Sequence, residues 1–151
     1  MAISQAMVTS FKVQILEGVH NFGSGVVRAS TAADVFKLAL YTSSATLSAS
    51  TTAYTTSDEV SSSGTNYPAG GLTLSISQAP TSTGTTAFID FDDLTFPSAT
   101  LTANGALIYN ETQGNKAVAV LAFGGDKTST AGNFTIQFPS PTSTTAILRI
   151  A

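Results

Sequence analysis

The chain has 151 residues, a net charge of −3, no cysteine, and only 10% charged against 42% hydrophobic residues. That length suits one domain with a real core. The composition excludes disulfides and thiolate metal sites, is too apolar for disorder, and argues against nucleic-acid binding. Ser and Thr make up more than a quarter of the residues and supply most of the polarity. No apolar run is long enough to span a bilayer. The opening MAISQAMVTSFK lacks a basic stretch followed by an apolar one, so folding in a cytoplasm is expected.

From Ser4 to Val19 the chain predicts its one helix. Met7, Phe11 and Ile15 recur every fourth residue, and Val8, Leu16 and Val19 broaden the stripe. Ser4 can cap the start, and Gly18 lies where the chain can leave the helix. Residues 21–33, NFGSGVVRASTAA, read as a connector or extended arm. On this reading residues 1–33 form an N-terminal helix and arm, and 34–151 form the β-domain of a single-domain protein. Asp34 to Tyr41 reads as a strand, with Phe36, Leu38 and Leu40 on one face and Lys37, Ala39 and Tyr41 on the other. A Ser/Thr-rich segment follows over residues 42–71. Within it Ala53 to Val60 suggests a short strand or helical turn, and Tyr54 and Tyr67 are its natural anchors. A loop of that length implies mobility or a binding role.

Leu72 to Ser77 alternates apolar and polar residues as a half-buried strand does. A turn around Gly84, a strand over Ala87 to Phe91, and a longer strand over ATLTANGALIYN that Gly105 can bend or bulge come next. The central feature is GALIYNETQGNKAVAVLAFGGDK. Its two arms, Ala106 to Asn110 and Lys116 to Phe123, are joined by a polar turn around Gly114 and Asn115. Both arms are apolar at nearly every position, so both faces call for cover. One face can lie on the domain's core; the other calls for a second sheet, a helix or a neighbouring subunit. GGDKTSTAGN reads as a further turn, and strands over Asn133 to Phe138 and Ala146 to Ile150 close the chain. The expected fold is mainly β: an antiparallel β-sandwich or barrel of about seven or eight strands with one N-terminal α-helix.

Candidate chemistry is sparse. His20 is the only histidine, so any Ser–His–acid triad must use it, yet nothing around it resembles a nucleophile motif. Asp90, Asp92 and Asp93 are the densest carboxylates and weak candidates for a metal; the spacing lacks the Gly and terminal Glu of a helix–loop–helix calcium site. Asp58 and Glu59 are adjacent, which points them to opposite sides of a strand and suits them poorly as an acid–base pair. The Gly–Gly and Lys–Thr of GGDKTST do not fit phosphate-loop spacing. Tyr41, Tyr54, Tyr67 and Tyr109 have the chemistry to stack on sugars, or to form half-buried rims. No constellation amounts to an enzyme, and no cofactor is implied.

Whole segments carry a resemblance. ISQAMVTSFKVQILEGVHNF, FKLALYTSSATLSASTTAYTTSDEV, YPAGGLTL, GALIYNETQGNKAVAVLAFGGDK and the closing FTIQF and AILRI resemble small structural proteins encoded by tailed bacteriophages, from Ile3 to Ala151. The resemblance implies a virion component assembled in many copies in the infected bacterium's cytoplasm. Within the virion, small size, low charge and apolar strands favour a capsid decoration, or cement, protein. Its partners would be the major capsid protein and copies of itself, as a homo-oligomer such as a trimer, with no nucleic acid and no membrane. The expected contact residues are Met7, Phe11, Ile15, Phe22, Val26 and Val27, and the competing reading is that they fill the protein's own core. The alternatives are a tail, neck or fibre component whose loop 42–71 meets a host glycan, and, more distantly, a hydrolytic or carbohydrate-active enzyme.

Overall fold

The computed structural model describes residues 2–16, 18–23 and 33–151. Among these residues it is mainly β, with two antiparallel sheets of five and three strands, one short N-terminal helix and no closed barrel. The elements in chain order are β1 (Ala6–Met7), α1 (Thr9–Leu16), β2 (Phe36–Tyr41), β3 (Leu72–Thr73), β4 (Ile76–Thr83), β5 (Thr86–Phe91), β6 (Leu94–Asn110), β7 (Lys116–Ile136) and β8 (Leu148–Ile150). The larger sheet runs β1-β7-β6-β2-β3 and the smaller β4-β5-β8. Both margins of the larger sheet end in two-residue strands, which leaves little unpaired backbone for uncontrolled pairing.

The N-terminal segment departs from the sequence reading. The helix begins at Thr9, not Ser4, because strand pairing captures the residues before it. Ala6 and Met7 lie opposite Val120 and Ala119. Val8 donates its N–H to the Val118 carbonyl at 3.2 Å, and Ser4 donates to Leu47 at 2.8 Å. A helix of this length gains little from propensity alone, so the long edge of β7 wins those residues. Gly18, at φ +71°, takes the chain out of the helix and donates to the Ile15 carbonyl. β1 is a strand of the larger sheet, and Val8 and Phe11 sit in the core; residues 24–32 of the expected arm lie outside the described residues.

The central hairpin is longer than expected. GGDKTSTAGN does not turn the chain; β7 continues through it to Ile136, paired with β6 back to Leu94. Gly105 faces Ala122 and Ala103 faces Lys127, so two steps along β6 are matched by five along β7. Gly124 and Gly125, at φ +72° and +144°, absorb the three extra residues as a wide bulge. Gly105 itself is a close-approach position: a Cβ there would lie 2.6 Å from the Leu121 carbonyl oxygen and 2.8 Å from the Ile3 side chain.

Both faces of the central strands are covered, and by different means. Ala106 through Asn110 and Ala117 through Leu121 are all buried. On the face of Phe36, Leu38 and Leu40 lies the smaller sheet, where Phe36 meets Phe91 at 6.1 Å and Phe22 stacks on Phe36 at 4.2 Å. The opposite face, with Ala39, Tyr41 and Tyr109, is covered among the described residues by neither a second sheet nor a helix. The irregular segment 42–71 lies across it as a third layer. Ala53 bridges to Lys116, Leu47 to Ile3 and Glu59 to Tyr41, so the segment crosses the sheet and returns. Asp58, at φ +60°, lets it reverse beside Tyr41.

Glu59 fastens this layer. Its Oε1 accepts from the Tyr67 hydroxyl at 2.6 Å and the Gly70 N–H at 2.7 Å, and its Oε2 accepts from the Tyr54 hydroxyl at 2.7 Å. Tyr67 Oη also accepts the Leu40 N–H at 3.0 Å, and Tyr109 donates to the Gly70 carbonyl at 2.7 Å. Tyr54 stacks on Tyr109 with centroids 4.7 Å apart. Burial, then the bond to Glu59, drives the Tyr67 and Tyr54 phenols well above the ordinary tyrosine range; burial pushes Tyr109 up to about 12. These hydroxyls stay protonated and donate, as Glu59 requires. Because the folded values are raised, this stabilisation is intact below pH 10.0, the ordinary tyrosine value, and is lost as pH rises beyond it. Glu59→Ala strands three donors and is expected to cost about 3 kcal/mol or more. Tyr67→Phe is expected to cost about 1–3 kcal/mol, since the Leu40 N–H loses its acceptor. Urea unfolding measures both, and wild-type stability for either would contradict the assignment.

Candidate functional site

The expected contact residues converge in part. Met7 from β1, Phe11 and Ile15 from α1, and Phe22 beyond it line one apolar cleft of about 170 Å³ against Phe88 and Ile89 of β5 and Leu148 and Ile150 of β8. Met7 leaves the helix yet reaches the same cleft, since β1 runs into α1 after a single residue. Phe11 is 1% exposed and Phe88 and Ile89 are each 7% exposed, so they form the floor. Met7, Ile15 and Phe22 are half-buried. Ile150, at 52%, is one of two exposed large hydrophobic side chains among the described residues, with Val35. Val26 and Val27 lie outside the described residues.

His20 stands in the wall of this cleft, edge-on to Phe11 at 4.7 Å. Its chemistry is decided by Asn110. Asp34 Oδ2 accepts from Asn110 Nδ2 at 2.8 Å, and a carboxylate can only accept, so the amide nitrogen faces Asp34. The same nitrogen lies 3.0 Å from His20 Nδ1, which therefore accepts, placing the proton of the neutral ring on Nε2. Asn110 is fully buried; its Oδ1 accepts the Gln113 N–H, and Gln113 Nε2 reaches Asp34 Oδ1 at 3.3 Å. Asp34 Oδ2 also accepts the Asn21 N–H at 3.0 Å. The cluster ties the chain after α1 and the start of β2 to the β6–β7 turn. Its geometry is that of a structural clasp: the group at His20 Nδ1 is an amide, not a nucleophile.

The three aspartates part company. Asp90 is buried within β5, whereas Asp92 and Asp93 are exposed. Asp93 Oδ1 accepts the Phe138 N–H at 2.8 Å, a strand-end cap for β7. Among the described residues no three His, Asp or Glu side chains gather as a metal site. The tyrosines turn inward: Tyr41 donates to the Thr55 carbonyl at 2.6 Å, and the hydroxyls of Tyr54, Tyr67 and Tyr109 are engaged by Glu59 and Gly70. The sequence brings Glu59 forward only as a poor acid–base partner of Asp58, because nothing local marks it as the acceptor for donors five, eight and eleven residues away. No helix among the described residues is long and apolar enough to cross a membrane.

Comparison with protein-family models, with curated proteins and with solved structures returns no match.

The clasp makes a sharp prediction. Asn110→Asp sets a second carboxylate against Asp34 and is expected to cost about 3 kcal/mol at neutral pH. Crowding raises a carboxyl pKa in the folded state, so the loss shrinks as pH falls toward the carboxylate range. Chemical denaturation at neutral and acid pH measures it, and a pH-independent effect would contradict the assignment.

Proposed function

We propose that this chain is a structural protein of a tailed-bacteriophage virion, and that it decorates the head by binding the outer face of the capsid. The resemblance of its segments to small phage structural proteins supports the class. The observation that carries the decoration role is the apolar cleft that collects Met7, Phe11, Ile15 and Phe22 at the surface beside exposed Ile150. An apolar lip over a packed floor, with aromatic side chains at its centre, has the composition of an interface core. In this reading a capsid subunit fills the cleft, and repeated weak contacts around a shell add through avidity.

The chain buries both faces of its central strands itself, so partners are not required to shelter them. Docking would use the cleft, with the fold complete beforehand. The tail or fibre alternative relied on loop tyrosines meeting a glycan, and the inward hydrogen bonds of those tyrosines favour the head reading over it.

Ile15→Glu places a charge at the cleft lip. It is expected to leave the circular dichroism spectrum unchanged and to abolish co-sedimentation of the protein with capsids lacking it. Cryo-electron microscopy of particles carrying the chain is expected to show density repeated with icosahedral symmetry on the outer shell. Density confined to the tail, or undiminished binding by Ile15→Glu, would overturn the proposal.

A further inference from the structure

Asp90 is the one carboxylate in the smaller sheet placed against its own chemistry. It lies in β5, the middle strand, and is 0% exposed. Oδ1 accepts the neighbouring Phe91 N–H at 2.9 Å, while Oδ2 has no hydrogen-bond partner. Its register partner on β4 is Gln78, whose side-chain amide donates instead to the Ala79 carbonyl. From the segment leading into β8, the Ile147 N–H bears on the carboxylate. The charged group whose field reaches it is another acid, Asp93, three residues on. Arg149 on β8 turns its guanidinium to the Thr144 carbonyl. Among the described residues Asp90 thus has no counter-ion, and its side chain has no water-facing surface to replace one.

A buried carboxylate with an orphan oxygen and a like charge nearby favours the protonated form. Burial is the larger cause and Asp93 adds to it; both hold the carboxyl above the ordinary value of 3.8, against the two backbone N–H groups.

We infer that Asp90 is a pH-sensitive latch for the C-terminal strand. With a proton on its carboxyl, the segment before β8 closes over β5; without it, the buried charge opposes that closure. In acid, below the ordinary carboxylate value, folded and unfolded chains are both protonated and the penalty vanishes. Above the raised folded value the penalty is complete, so β8 is held less firmly at neutral pH than in acid. Asp90 is not itself in the lining of the cleft, but β5 and β8, which it would hold together, form one wall of it.

The test is the carboxyl-carbon chemical shift of Asp90 followed through a pH titration, with amide hydrogen exchange at residues 88–91 and 147–150 corrected for intrinsic rates. Wild type is expected to titrate above the ordinary aspartate value. Protection of those amides should fall by about tenfold for each unit of elevation as the proton leaves. Asp90→Asn should abolish that fall, whereas Asp93→Asn should lower the Asp90 midpoint and keep the fall. An Asp90 carboxyl titrating at or below the ordinary value would overturn the inference, whether or not Asp90→Asn folds. Unchanged pH dependence in Asp90→Asn would do the same.

Discussion

Three hydrogen bonds to one carboxylate hold the architecture in its observed form. Glu59 draws Tyr54, Tyr67 and the Gly70 backbone onto a face of the larger sheet that no second sheet reaches. Backbone bonds extend the hold: Val60 donates to Leu40, Tyr54 to Asn115, and Ala117 to Thr52. Without that fastening, Tyr41, Leu107, Tyr109 and Val120 would lie under water. An irregular segment carries many backbone polar groups, so it can serve as a layer only where they find partners. The polar sequence of 42–71, which looks unsuited to covering a core, supplies those partners through hydroxyls and carbonyls and buries the side chains of Ala45, Leu47, Val60 and Tyr67 together with Gly70 and Gly71.

The same logic explains how a chain with few charges keeps its strands from pairing at random. The larger sheet has short margins, and the exposed ribbon of β6 and β7 presents threonines outward. Thr95 and Thr135 share a hydrogen bond of 2.9 Å across the strands, as do Thr102 and Thr128. On the inward side Phe96, Leu101, Phe134 and Ile136 are buried. The ribbon's free edge is occupied in turn by the loop layer, where Thr100 donates to the Thr65 carbonyl and Asn66 to that of Ser98. Assembly therefore need not be a rescue of bare strands, and under the proposed function docking falls to the cleft between α1 and the smaller sheet.

Much of this was legible in the sequence because β2 places its large apolar residues at alternate positions, while the arms of β6 and β7 are continuous apolar runs bounded by turn residues. The all-β class, the Gly84 turn, the bulge near Gly105 and the anchoring by Tyr54 and Tyr67 follow from such local signals. What was not legible required distant partners. The fourfold spacing of Met7, Phe11 and Ile15 predicts a helix from Ser4, but the edge of β7 lies more than a hundred residues away and takes Met7 as a strand. Gly124 and Gly125 carry the composition of a turn, and only the pairing of β6 beyond them makes them a bulge. For the candidate site, residues were foreseen as a stripe, while their meeting with Phe88, Leu148 and Ile150 comes from the second sheet and leaves no trace in any one segment.

The account rests on segment 42–71 being a layer of the fold. Native-state hydrogen exchange at Leu47, Tyr54, Val60 and Gly70 tests this most directly, since these amides donate to Ala2, Asn115, Leu40 and the Glu59 carboxylate in turn. The structure predicts protection close to that of Leu107 and Val120 in the central strands. Exchange at these four amides near the rate of an unstructured chain, with the central strands still protected, would contradict it.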